Sequence, residues 1–143
     1  MHADQRGRSL IEIVFVSAFI GIVLGIGTAN IRQALAREEL EGWVRAVTND
    51  ITAAQQAAIT RRTTVTATFQ NNTYTIGAVG GGILRQDTLP AHITFGSTMQ
   101  SFSFDRRGTP SSAYTLTMTS TTTGRTFTVS IEPVTGRATH SDT

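Results

Sequence analysis

Residues 7–31 read GRSLIEIVFVSAFIGIVLGIGTANI, and this stretch separates the chain into two chemically different parts. Between residues 10 and 31, 15 of 22 residues are hydrophobic, whereas only 41 of the other 121 residues are. The average of 39% hydrophobic residues over 143 positions therefore describes neither part. An apolar segment is attached to a polar body, and the fold has to accommodate both.

The apolar segment has the length of a membrane span. The 19 residues 13–31 carry no charge. As a helix they are about 28 Å long, close to the roughly 30 Å hydrocarbon core of a bilayer. Glu12 precedes them, and an acidic residue near the start of a membrane helix costs up to about 3 kcal/mol. We therefore expect Glu12 either to be solvated at the membrane interface or to have a positive partner.

Two other interpretations of this segment remain open. Ala34-Leu35-Ala36 is a small-x-small sequence at which signal peptidase cuts, so the segment also fits an ordinary signal peptide followed by an exported β-domain. A plain signal anchor is the second. The count of positive charges does not separate these cases, because arginines flank the segment on both sides.

Helical periodicity continues beyond the apolar segment. No proline interrupts residues 9–60, so we predict one continuous helix whose second half is amphipathic. In the first half, Gly21 and Gly25 have the Gly-x-x-x-Gly spacing that allows close helix contact, although glycine is also common in membrane helices generally. The apolar residues of the second half recur at steps of three and four: Leu40, Trp43, Val44, Val47, Ile51, Ala54 and Ala58.

From Thr63 onward the apolar period changes from near four to two, which predicts β-strands. Asn71-Asn72 is a predicted hairpin turn between the first two strands. We expect a glycine-rich loop over residues 78–82, a final strand closed by Pro133 and Gly136, and a C-terminal tail that contains His140. The other strands are predicted at residues 92–95, 101–104, 113–119 and 125–131, and the last two form a hairpin.

Residues 7–13 resemble the type III signal of type IV pilins and type II secretion pseudopilins. That signal has a short polar leader ending in Gly, a hydrophobic stretch, and Glu at the fifth mature position. The resemblance implies cleavage after Gly7 by a prepilin peptidase, methylation of the new N-terminus at Arg8, and pairing of Glu12 with the α-amino group of a neighbouring subunit. Arg8 stands where the family usually has an apolar residue, and its spacing also allows a pair with Glu12 within one helix.

Most of the remaining chain resembles the GspH/FimT group of minor pseudopilins and minor type IV pilins. The stretches that carry this resemblance are AAQQAAITRRTTVTATF at 53–69, SFSFDRRGTP at 101–110 and GRTFTVSIEPVTGRAT at 124–139. It implies an α+β pilin fold, in which the second half of a long N-terminal helix packs on a small antiparallel β head. The implied parts are a leader (1–7), a transmembrane or filament-core half-helix (8–31), an amphipathic half-helix (32–60) and the head (61–143).

The resemblance also implies a function. A chain of this group is a non-catalytic minor subunit of a type IV pilus or a type II secretion pseudopilus, and its N-terminal helix contacts other pilin or pseudopilin subunits. Before assembly it is a single-pass protein in the lipid of the cytoplasmic membrane, with its N-terminus in the cytoplasm. After assembly it belongs to a periplasmic or cell-surface filament.

Composition argues against an enzyme. The chain has no cysteine, which excludes a disulfide framework, a cysteine-ligated zinc site and a thiol nucleophile. His2, His92 and His140 are far apart in the sequence and accompany no carboxylate cluster. We therefore expect no catalytic residue, no metal site and no cofactor.

DNA binding is an alternative function, because some FimT-like minor pilins bind DNA. All 12 basic residues are arginine, and seven of them lie in the head with four acidic residues. Arg106, Arg107, Arg125 and Arg137 are the candidate phosphate contacts, which would make binding salt-dependent. The DNA-binding relatives carry a Gly-Arg-x-Arg element, and the sequence GRAT at 136–139 matches only its first arginine. Scattered arginines that promote solubility are the simpler interpretation.

Overall fold

The computed structural model describes residues 5–96 and 99–142, and for residues 5–10 and 24–30 it describes the backbone alone. In chain order the elements are α1 (Gln5–Arg61), β1 (Val65–Gln70), β2 (Thr73–Ala78), β3 (Gly82–Thr88), β4 (Ile93–Phe95), β5 (Gln100–Phe104), β6 (Tyr114–Ser120), β7 (Thr126–Ile131) and β8 (Ala138–Asp142). The chain divides into two units, residues 1–35 and 36–143. The second unit contains the later part of α1 and these strands.

The helical part of the first unit exposes apolar side chains on every face. The consecutive residues Ile13, Val14, Phe15 and Val16 are each more than half exposed. Successive helical residues point about 100° apart, so these four together cover the whole circumference. No helix among the described residues combines the length and hydropathy of a membrane span. Residues 24–30 of the predicted span lie outside the described side chains.

In the second unit, α1 packs on the sheets through the stripe that the sequence predicts. The apolar residues at steps of three and four are buried, and Trp43 is partly buried against the same core. They therefore lie on one face of the helix, as predicted. Full burial of a large aliphatic side chain stabilises a fold by about 1.5–3 kcal/mol. The buried members of the stripe are Leu40, Val44, Val47, Ile51, Ala54 and Ala58.

The strands form two antiparallel sheets with the orders β3-β2-β1-β5 and β4-β6-β7-β8. The predicted hairpins β1–β2 and β6–β7 are confirmed. Aromatic residues join the two sheets: the rings of Phe69 and Phe95 meet edge to face with centroids 5.1 Å apart, and those of Phe102 and Tyr114 lie 4.7 Å apart. Both sheets therefore share one hydrophobic core with α1.

Two predictions about irregular segments are wrong. Gly82 begins strand β3, so the loop between β2 and β3 is shorter than the predicted loop over residues 78–82. His140 lies in strand β8, opposite Val129, and not in a tail; the strand closed by Pro133 and Gly136 is therefore not the last. Both β3 and β8 are outer strands with mostly exposed residues. Apolar and polar residues do not alternate clearly in such strands. Backbone hydrogen bonds to the neighbouring strand hold them in place, and burial of their side chains contributes little.

The end of α1 is a Schellman motif with an arginine at its left-handed position. The Thr63 N–H donates to the Ala58 carbonyl (3.2 Å), and the Arg62 N–H donates to the Ile59 carbonyl (3.3 Å). Arg62 has a φ of 51°, a conformation that glycine usually supplies in this motif. For a residue with a side chain, this left-handed conformation costs about 1–2 kcal/mol.

Gln55 ties two loops of the head to α1. Its Nε2 donates hydrogen bonds to the carbonyls of Gly108 (2.9 Å) and Thr135 (2.8 Å). Gly108 lies in the β5–β6 loop and Gly136 in the β7–β8 turn, and both have positive φ. A Cβ at Gly136 would lie 2.3 Å from Gln55 Nε2, and one at Gly108 would lie 2.7 Å from Ile59 Cδ1. Glycine at these two positions therefore lets the loops approach the helix.

We expect Gly136→Ala to destabilise the second unit more than Gly124→Ala. The two glycines have nearly equal φ, 67° and 68°, but a Cβ at Gly124 meets no atom within 4 Å. Gly124→Ala should cost about 1 kcal/mol of backbone strain. Gly136→Ala should cost about 2–4 kcal/mol, because Gln55 must also move and lose its hydrogen bonds. Denaturation of the full chain in non-ionic detergent measures both, and equal losses would contradict the role of Gln55.

Candidate functional site

Glu12 lies in the exposed apolar part of α1. It lines a shallow groove with Ile13, Val16, Ser17 and Ile20, and its spacing of four from Val16 places both on one helix face. The Ser17 hydroxyl donates to the Ile13 carbonyl, as is common inside helices, and so is turned to the backbone. None of the ion pairs among the described side chains involves Glu12. The site is thus a carboxylate on an apolar surface.

The other predicted N-terminal site residues are described less fully. Gly7, Arg8 and Gly25 lie among the residues for which only the helix backbone is described. At Gly21 an added Cβ would meet no atom within 4 Å, so this face of the helix is open. Cleavage after Gly7, methylation at Arg8 and helix packing at Gly21 and Gly25 therefore stay predictions.

Three arginines line one shallow groove at the C-terminal end of α1. Arg62 reaches it from the helix end, and Arg106 and Arg107 reach it from the β5–β6 loop. We call this surface the basic groove. Its lining residues are Ile59, Arg62, Thr64, Asp105, Arg106 and Arg107.

The carboxylate that lines the basic groove, Asp105, is hydrogen-bonded to the backbone of its own loop. Asp105 Oδ1 accepts hydrogen bonds from the N–H groups of Arg107 and Thr109, both at 2.8 Å. These bonds, first that from Thr109, hold the pKa of Asp105 below its usual value. Among the described residues, no ion pair within 4.0 Å involves Arg62, Arg106 or Arg107. The groove therefore offers three guanidinium groups to an external anion.

The other two arginine candidates lie elsewhere. Arg125 Nη1 is 3.1 Å from Asp142 Oδ2, so its charge is already paired. Arg137 lines a different groove with Glu132. The structure thus brings Arg106 and Arg107 together, adds Arg62, and separates Arg125 and Arg137 from them. Arg62 is absent from the sequence-based candidates, because its closeness to the β5–β6 loop follows only from the packing of that loop on α1.

A second charged cluster holds β3 against α1. Arg85 Nε lies 2.9 Å from Asp50 Oδ2, and the Tyr74 hydroxyl donates to the same carboxylate oxygen. Asp87 supports Arg85 at 3.5 Å. A register shift between β2 and β3 brings Leu84 and Arg85 to the same groove beside the helix, as a bulge does. Because the Asp50 side chain is only 14% exposed, this pair is less screened than a surface ion pair.

The same cluster suppresses ionisation of the Tyr74 hydroxyl. Burial is the largest cause that raises the pKa of Tyr74, followed by the hydrogen bond to Asp50 and the negative charge of Asp50. The phenol therefore stays a hydrogen-bond donor over the whole neutral range. We interpret the cluster as a structural clamp.

The model of the family described as Type II transport protein GspH matches residues 44–135, which is more than half of the chain. The chain belongs to the GspH family. The match begins after the signal-like residues 7–13, so that resemblance stays a prediction. No curated protein matches the chain.

The pilin fold predicted for this GspH-family chain is confirmed by a solved structure. The crystal structure of the type IV minor pilin FimU from Pseudomonas aeruginosa PAO1 is similar to it with a TM-score of 0.60. The similarity covers 73% of this chain and 90% of that chain at 19% sequence identity. At this identity the likeness shows the fold alone.

We expect the only two tyrosines of the chain to resist ionisation in the folded state. Burial raises the pKa of Tyr114 to about 12, and the pKa of Tyr74 is raised as well. An unfolded tyrosine titrates near pH 10, so this contribution to stability is complete below about pH 10 and is lost as the pH rises further. The phenolate absorbance of the folded chain should therefore stay low at about pH 10.5.

The matched variant is Tyr74→Phe, which leaves Tyr114 as the single reporter. Circular dichroism recorded at each pH shows whether the chain is still folded. Half ionisation of both tyrosines near pH 10 with an intact spectrum would contradict the burial argument.

Proposed function

We propose that this GspH-family chain is a minor subunit of a type IV pilus or a type II secretion pseudopilus, and that it acts by assembly and not by catalysis. The observation that carries the proposal is the helix of residues 11–23, which is apolar on every face and carries a single charged residue, Glu12, near its start. A helix that is hydrophobic all round requires an apolar environment. Lipid provides it before assembly, and the helices of other pilin or pseudopilin subunits provide it afterwards.

The proposal includes a maturation path. Prepilin peptidase cuts after Gly7, and the new N-terminus at Arg8 is methylated. Before assembly the chain is a single-pass protein of the cytoplasmic membrane, with its N-terminus in the cytoplasm and its head on the other side. In the filament, Gly21 and Gly25 allow neighbouring helices to approach closely.

Glu12 has a defined part in this assembly. A carboxylate that enters a low-dielectric helix bundle is tolerated only when a positive group pairs with it. The free α-amino group of a neighbouring subunit is such a positive group, and it can pair with Glu12 at only one axial position of the incoming helix. Pairing of Glu12 therefore sets the register at which an incoming helix stops.

We expect Glu12→Ala to leave membrane insertion intact and to reduce incorporation into filaments by at least about tenfold, which corresponds to about 1.4 kcal/mol. The variant removes the charge pair but keeps the apolar surface. Quantitative blotting of membrane and sheared-filament fractions measures both steps. Ser17→Ala, in the same groove, is the control. Normal filament content of Glu12→Ala would refute the register role.

We expect the mature chain to begin at Arg8, with one added methyl group. Intact-mass measurement of the protein from cells with and without prepilin peptidase tests this start. A start at Arg37 that does not depend on the peptidase would instead establish an ordinary signal peptide and an exported β-domain.

DNA binding in uptake is the alternative function. Arg62, Arg106 and Arg107 line one groove, which favours binding of an anion. Arg125 is paired with Asp142, however, and the exposed large apolar residues described in the second unit include no aromatic residue on which a base could stack. Assembly therefore accounts for more of the chain than DNA binding does.

A further inference from the structure

We propose that the basic groove and the β2–β3 turn beside it bind an acidic, partly apolar surface of a different pilin or pseudopilin subunit in the same filament. The inference rests on the proposed function, because it names the surface of the head through which this subunit recognises one unlike neighbour. It adds a contact between heads to the packing of N-terminal helices.

Three segments of the chain meet at one end of the sheet β3-β2-β1-β5. The last row of that sheet consists of four residues paired across its strands: Phe104, Val65, Ala78 and Gly82. Beyond this row lie residues 62–64, the turn of residues 79–81, and the β5–β6 loop that begins at Asp105. We call this surface the groove end of the head, because it contains the basic groove.

Val79 joins the β2–β3 turn to the basic groove. Its N–H donates to the Thr64 carbonyl (2.9 Å), and its carbonyl accepts a hydrogen bond from the Thr63 hydroxyl (3.2 Å). Thr64 in turn lines the basic groove. Val79 is 66% exposed, and Ile59 in the groove lining is 42% exposed. The groove end therefore offers aliphatic contacts beside its guanidinium groups.

The groove end is held in shape by bonds within the head. Asp105 Oδ1 accepts hydrogen bonds from the N–H groups of Arg107 and Thr109, and Gln55 Nε2 donates to the Gly108 carbonyl. The loop that carries the arginines is thus fixed on both sides. A surface that is ordered in advance binds a partner at a lower cost in conformational entropy.

The charges of the groove end require an acidic partner. Among the described residues, Arg62, Arg106 and Arg107 take part in no ion pair within 4.0 Å. A buried charge without a partner is strongly destabilising, so an interface over these groups must place carboxylates opposite them. Arginine forms bidentate pairs with carboxylates, and it is enriched at protein interfaces.

The aliphatic side chains favour a protein over a nucleic acid. A phosphate backbone offers little apolar surface to Ile59 and Val79. Sites that track single-stranded nucleic acid use aromatic stacking platforms, and the described lining of the basic groove contains no aromatic residue. Exposed aliphatic residues next to arginine are instead the composition of a protein interface.

A second copy of the chain does not supply the acidic surface. Most acidic side chains of the second unit already contact a group of their own copy: Glu39, Glu41, Asp50, Asp87, Asp105, Glu132 and Asp142. Among the residues described there, Glu38 has no such contact, and one carboxylate does not match three guanidinium groups. The partner is therefore an unlike chain, which suits a minor subunit placed among subunits of another kind.

Photo-cross-linking in cells that assemble the filament tests this surface. The photoreactive residue p-benzoylphenylalanine replaces Val79 in the full chain or, as the control, the exposed Thr122 in the β6–β7 turn. We expect the probe at position 79 to form an adduct with a different pilin or pseudopilin. Mass spectrometry should place the adduct in a peptide that carries acidic residues, and the probe at position 122 should give little of the same adduct.

Charge variants test the chemistry of the contact. Arg106→Gln with Arg107→Gln should lower the yield of the adduct from position 79 about tenfold. Ser101→Glu with Thr115→Glu changes the net charge by the same amount at exposed strand positions and should leave the yield unchanged. After the acidic residue of the partner is known, Arg107→Glu should abolish the adduct, and an arginine at that partner position should restore it.

Arg62→Gly tests the third guanidinium without weakening the fold. Arg62 has a φ of 51° at the helix end, a conformation that suits glycine better than arginine. The variant should therefore lower the yield of the adduct while the unfolding temperature stays equal or rises. An unchanged yield would remove Arg62 from the contact.

The filament content of the chain separates this inference from the proposed function. A chain that enters sheared filaments but forms no adduct from position 79, or the same yield without Arg106 and Arg107, overturns the inference alone. An adduct with a second copy of the chain also overturns it. A salt-dependent gel shift of duplex DNA that needs both arginines, without a subunit adduct, makes nucleic acid the partner. Absence of the unsubstituted chain from filaments overturns the proposed function instead.

Discussion

Burial of one face of α1 against both sheets is the interaction on which the rest of the structure depends. Residues 61–143 hold only 25 hydrophobic residues in 83, which is few for a self-sufficient core. The stripe from Leu40 to Ala58 supplies the missing apolar surface, and the aromatic residues of both sheets close over it. The head therefore cannot be separated from the second half of the helix.

Polar contacts then determine how the loops and outer strands are held on α1. Gln55 fastens the β5–β6 loop and the β7–β8 turn, and Asp50 fastens β3 through Arg85. Both anchors lie on the helix, one on each side of the buried stripe. The basic groove is a consequence of the first anchor, because it brings Arg106 and Arg107 to the helix end that carries Arg62. The positive charge of the basic groove therefore comes from both parts, from Arg62 at the helix end and from Arg106 and Arg107 in the loop.

Periodicity predicted the elements that bury alternate residues. Steps of three and four identified the stripe of α1, and steps of two identified β1 and the β6–β7 hairpin, because burial of one face selects these spacings. β3 and β8 were not predicted, because both are outer strands whose side chains are mostly exposed and therefore show no alternation of apolar residues. The arginines of the basic groove were likewise predicted only in part. Arg106 and Arg107 are adjacent in the chain and could be found together, whereas Arg62 lies 44 positions earlier, beyond the reach of any local pattern.

The sequence by itself determined the division of the chain into an apolar helix, an amphipathic helix and a β region. The first is a nearly continuous apolar run, the second repeats apolar residues at steps of three and four, and the third repeats them at steps of two. The sequence also placed one carboxylate, Glu12, at the start of the apolar helix. Only the tertiary structure decided that two sheets share the core, that Arg125 is paired with Asp142, and that Arg62 lines the same groove as Arg106 and Arg107. The physical reason is that periodicity reports which residues are buried, while charge pairing and loop approach depend on distances between segments remote in the chain.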